Sequence, residues 1–174
     1  MYLKINEEYA DGELALLADL LSMLDKEIMK IQKAIASSND PESDGLLDRC
    51  EYFIGIGLTG IQQYLADTLT FTGVKKKNAL TLGPAYKEGL AFVAVLNAAA
   101  NWWKHSAEWY AEPTLRKDAL RTQQVIGEVA ESEEYVMSNV LAGLLRTPNV
   151  TLSSLLPNLV LWRSAVEKES GKNA

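Results

Sequence analysis

The strongest constraint on the fold lies between Asp11 and Ser37. There Leu14, Leu17, Leu21, Leu24, Ile28, Ile31 and Ile35 recur at alternating spacings of three and four. At about 3.6 residues per turn this spacing gathers them on one side of a helix. Leu16, Ala18 and Leu20 broaden the stripe beyond the narrow seam of a two-stranded coiled coil, so it reads as a bundle helix. After the turn-rich run 38–44 the spacing returns in Leu47, Cys50, Ile54, Leu58, Ile61, Leu65 and Leu69, predicting a second helix over Gly45 to Phe71. Gly55, Gly57 and Gly60 lie inside it. Each costs up to about 1 kcal/mol against Ala in a helix, so their presence implies a close approach by another helix or backbone.

A loop over Gly73 to Gly83 carries Lys75, Lys76 and Lys77, which read as a solvated tip or a phosphate contact. Pro84 suits the first turn of a third helix, which runs to about Tyr110, before Pro113. Its start, Leu90 to Leu96, is apolar nearly all round, the pattern of a central helix. A fourth helix is expected from Thr114 to about Ala130. A fifth starts from Ser132 as N-cap and runs to about Leu145, with Val136, Val140, Leu141 and Leu144 inward and a break at 147–149. The last starts near Ser153 or Ser154 and ends near Lys168, with Leu156, Leu159, Val160, Trp162 and Val166 inward. No strand-period segment exceeds about four residues. The expected fold is all-α: a helical bundle with two or three long antiparallel helices plus shorter C-terminal helices. It reads as one helical domain over 1–174, with 1–10 and 170–174 flexible.

The 174 residues carry a net charge of −6, the wrong sign for a general electrostatic grip on nucleic acid. The charge is uneven: residues 1–72 hold 5 Lys/Arg against 13 Asp/Glu, and residues 73–174 hold 12 against 10. The two halves can therefore pair with each other, and a local basic site in the second half stays open. The one cysteine, Cys50, excludes an intrachain disulfide and reads as a small buried hydrophobe. The first residues, with Glu7, Glu8 and Asp11, lack the apolar core of a signal peptide, and no run is long enough to span a membrane. A cytoplasmic location with no membrane partner is expected.

The candidate site lies at the far end of the third helix. Asn97, Asn101, Lys104 and Glu108 fall within about 60° of arc, on the face that Leu90 and Val93 hold earlier, and His105 flanks them. The only His lies here, with three of the four Trp: Trp102, Trp103 and Trp109. Amides and charges on a central helix need partners. The stripe reads either as a solvated helix end, or as a pocket in which Asn97, Asn101, Lys104 and Glu108 bind an anionic or nucleotide-like group. In the pocket reading His105 is the candidate catalytic acid–base. No metal or other cofactor is expected. The pairs Asp48/Glu51 and Glu128/Glu131 sit on charged faces, and Gly55, Gly57 and Gly60 lack the Lys-Ser/Thr ending of a phosphate loop.

Asn101-Trp102-Trp103-Lys104-His105, on a long helix of a small all-α chain, resembles the motif of HEPN-fold proteins. The resemblance implies two long helices plus shorter ones, often in a dimer. It implies either a metal-independent ribonuclease of bacterial defence or toxin–antitoxin systems, or an inactive RNA- or nucleotide-binding relative. In that family an Arg precedes the polar residue and the His. Here the corresponding positions are Ala98, Ala99 and Ala100, so Lys104, Arg116 or Arg121 would have to supply the phosphate contact.

The expected function is thus binding of a nucleotide- or RNA-like anion at the stripe. The alternatives are a ribonuclease using His105, an interaction or immunity-type protein using the acidic first helix to hold a protein partner, and an all-α Mg²⁺-dependent nucleotide pyrophosphatase. The apolar width of the first helix exceeds what one neighbour covers, which implies a homodimer. Light scattering at micromolar concentration should give about twice the chain mass of 19.2 kDa; a mass near that of one chain removes this expectation.

Overall fold

The computed structural model describes residues 2–5, 8–112, 114–146 and 150–172. A small antiparallel hairpin, β1 (Tyr2–Ile5) and β2 (Glu8–Asp11), precedes the first helix, with Tyr2 opposite Asp11. Helices α1 (Gly12–Ser37) and α2 (Leu46–Thr72) follow, then a one-turn helix α3 (Lys76–Ala79). A second hairpin, β3 (Ala85–Lys87) and β4 (Leu90–Ala91), leads directly into α4 (Phe92–Trp109). The chain continues through α5 (Lys117–Gly127) and α6 (Val136–Leu145), then a 3₁₀ turn over Leu152–Leu155 that runs into α7 (Leu156–Ser170). The fold is all-α, as the spacing implies, with the short hairpins as its only strands among the described residues. No helix is long and apolar enough to cross a membrane.

Helices α1 and α2 form the most extensive pair, and α2 then packs on α4, and α4 on α5. Leu17, Leu21, Leu24, Ile28 and Ile31 of α1 bury against Ile54, Leu58, Ile61 and Leu65 of α2. The pair is antiparallel, because Asp11 at the head of α1 meets Tyr64 late in α2: the phenol donates to Asp11 Oδ2 at 2.7 Å. Asp11 Oδ1 accepts from the Leu14 N–H at 3.0 Å and so caps α1. The buried Arg163 of α7 lies 3.6 Å from the same carboxylate.

The glycines of α2 receive side chains rather than backbone. A Cβ on Gly55 would fall inside the indole of Trp103, one on Gly57 would lie 2.5 Å from Leu152, and one on Gly60 2.9 Å from Leu20. Cys50 is buried as expected, and burial, then the charge of Glu51, pushes its thiol up from the ordinary value.

Several expectations are corrected. Pro84 does not open the third long helix. Gly89, at φ +74°, turns a hairpin there, and the Phe92 N–H closes back on the Pro84 carbonyl at 2.9 Å. The helix after Pro113 is shorter than 114–130. Ser132 does not cap α6; its Oγ accepts from the Glu134 N–H in a local turn. The cap comes instead from α2, where the Glu51 carboxylate accepts from the N–H groups of Met137 and Ser138 at 2.8 and 2.7 Å. Likewise Asp25 of α1 accepts from Leu152 and Ser153 at 2.7 and 3.0 Å, ahead of α7. Leu16 and Val160, read as inward, are 72% and 45% exposed. Pro113 and the break at 147–149 lie outside the described residues.

Both carboxylates satisfy helix-end donors that nothing nearby in sequence supplies. Asp25→Ala and Glu51→Ala should each cost about 1–3 kcal/mol, because part-buried N–H groups lose charged acceptors. Urea unfolding of each variant measures this; an unchanged midpoint would contradict the capping role.

Candidate functional site

The apolar start of α4 is its central part: Phe92, Val93, Val95, Leu96, Ala98, Ala99 and Ala100 are all buried. The polar stripe begins within this segment and faces α2 and α5. Its partner on α2 is Gln62, which no motif in the sequence singles out. Gln62 Nε2 donates to Asn97 Oδ1 at 3.0 Å, to Asn101 Oδ1 at 2.9 Å and more weakly to the Asn97 carbonyl at 3.3 Å. Lys104 Nζ donates to Gln62 Oε1 at 2.6 Å. One glutamine thus joins three of the expected site residues across the helix pair.

The other two stand apart from this network. His105 Nδ1 lies 3.2 Å from Glu108 Oε2, an i,i+3 pair with both side chains substantially exposed. The imidazole stacks on Trp109 at 6.4 Å between centroids, and Trp109 meets Trp102 edge-on at 5.9 Å. The stripe is therefore two features: an amide–lysine network between helices, and a solvent-facing His–Glu pair one turn on.

Three cavities meet at Asn101. One of about 420 Å³ lies between α2 and α4 and is bounded by Gln62, Asn97, Lys104, Lys76 and Trp162, with no carboxylate among the described residues of its walls. A second, of about 380 Å³, lies between α4 and α5 and adds Lys77, Arg121 and Asp118. A third, of about 360 Å³, holds His105, Glu108 and Arg116. Arg121 of α5, and Arg116 just before that helix, thus lie beside the stripe. Ala98, Ala99 and Ala100 are buried, where a guanidinium would need a partner.

Among the described residues, no carboxylate lies at ion-pair distance from Lys76, Lys77, Lys104 or Arg121. Partial burial, and then the charge of Lys76, holds the Lys104 ammonium below its ordinary value. One member of each carboxylate pair noted in the sequence is engaged elsewhere. Glu51 caps α6, and Glu128 meets Lys87 at 2.9 Å. No group of three or more His, Cys, Asp or Glu side chains able to hold a metal ion comes together among the described residues. Comparison with protein-family models, curated proteins and solved structures finds no match to this chain.

The lowered Lys104 value has a definite sign. The unfolded chain keeps this proton up to the ordinary lysine range, so stability should rise with pH between the folded and unfolded values. In a ¹³Cε NMR titration Lys104 should deprotonate before the other lysines. Lys76→Ala should move it only part of the way back, because burial is the larger cause. An ordinary lysine titration at Lys104 would contradict both its partial burial and its proximity to Lys76.

Proposed function

We propose that the chain binds a phosphate-bearing, nucleotide- or RNA-like anion at the polar stripe of α4. The observation that carries this reading is the gathering of Lys76, Lys77, Lys104 and Arg121 around Asn97 and Asn101 without paired carboxylates. Like charges gathered on one side of the molecule, all four of them exposed, repel one another, and an anion offsets that repulsion. Cavities of about 380 and 420 Å³ adjoin there, a size that suits a nucleotide, and Leu80, Leu90 and Val125 supply an apolar wall beside the cations. The HEPN-like layout is in keeping with such a ligand and with a defence or toxin–antitoxin setting in the cytoplasm. A homodimer through the outer face of α1 fits the exposure of Leu16 and Met23.

A second reading has one observation in its favour: His105 and Arg116 line the same cavity, the pairing a metal-independent ribonuclease needs.

Calorimetric titration with uridine monophosphate and with a twelve-residue oligouridylate tests both readings. Binding of at least one probe is expected, weakening between about 50 and 200 mM salt and at least tenfold with Lys76→Ala. Absence of binding heat with both probes overturns the proposal. The oligonucleotide recovered intact keeps the function to binding; cleavage that His105→Ala abolishes moves it to the ribonuclease.

A further inference from the structure

The network between α2 and α4 has a direction. The Lys104 ammonium has hydrogens only to give, and it gives one to Gln62 Oε1. The Gln62 amide is thereby turned with Nε2 toward α4. That group also only gives, so Asn97 and Asn101 both present Oδ1 to it. Their Nδ2 groups are turned away from Gln62. Neither has a hydrogen-bond partner among the described residues, and neither is shut off from solvent. Both asparagines also line the cleft between α4 and α5, which Gln62 does not reach.

On the reading that the stripe takes an anion, we infer that the anionic group itself seats in the α4–α5 cleft, on the Nδ2 groups of Asn97 and Asn101 flanked by Lys76, Lys77 and Arg121. Lys104 and Gln62 are positioning residues: they orient both asparagine amides and do not touch the ligand. Such a site offers hydrogens and accepts few, so it selects acceptor-only oxyanions, above all a phosphate ester. A ligand hydroxyl finds its acceptor in Asp118, the one carboxylate among the described residues of this cleft.

Inorganic phosphate, titrated into ¹⁵N-labelled full-length protein, is the probe. The side-chain NH₂ signals of Asn97 and Asn101 should shift, while those of Gln62 and the Lys104 ammonium stay in place. Shifts at Gln62 and Lys104 with the asparagines unmoved would overturn the inference, placing the anion between α2 and α4, and would leave the proposed function standing. No shift anywhere, with no binding of the nucleotide probes, would sink both. A pair of variants separates orientation from charge. Gln62→Glu puts acceptors where Nε2 was, so both asparagines must turn Oδ1 into the cleft. Gln63→Glu adds the same charge at the neighbouring position, where Gln63 donates to Asp67 and to no other described residue. Phosphate affinity should fall at least tenfold in the first variant and less than threefold in the second. Equal losses would show that charge alone acts and would overturn the positioning role.

Discussion

The absence of side chains at three positions of α2 governs how closely the rest of the fold can approach. Gly55 makes room for the indole of Trp103, Gly57 for Leu152, and Gly60 for Leu20, so α4, the turn before α7, and α1 all seat against one helix. The Trp103 contact sets the height of α4 along α2. Two turns on from Gly55, Gln62 then stands opposite Asn97 and Asn101 within hydrogen-bond reach. An added methyl at Gly55 would push the helices apart just where the amide network needs contact distances of about 3 Å.

Charge is organised by the same packing. The chain as a whole is acidic, yet several acidic groups of its first half are engaged inside the fold. Asp11 meets Tyr64 and Arg163, Asp25 holds the start of the 3₁₀ turn, and Glu51 holds the start of α6. Each neutralises a helix end or a buried cation of the second half. The cations around Asn97 and Asn101 receive none of this compensation. A basic pocket in a protein of net charge −6 thus follows from where the carboxylates are engaged.

Positions 98 to 100 face the core and are filled by alanines. Apart from Lys104, the cationic groups near the stripe come from α3, from α5 and from Arg116 just before α5. His105 lies beyond this face, half exposed on Trp109.

Periodicity alone determined the long helices, because a helix that buries one face must repeat its apolar residues at three and four. Leu17 to Ile31 and Ile54 to Leu65 are buried as that pattern requires. It also marked Asn97, Asn101 and Lys104 as one stripe, since their common face is a property of a single helix. Tertiary structure decided what local pattern does not encode. The hairpin at Gly89 replaced a helical start because a positive φ there fits a turn. The caps of α6 and α7 came from Glu51 and Asp25, far away in sequence, so no nearby Ser could reveal them. Gln62 lies among ordinary helix residues and gains its role only when α2 meets α4. A hydrogen-bond network between helices has no periodicity of its own, and its direction, set by one lysine, exists only once the partners are in place.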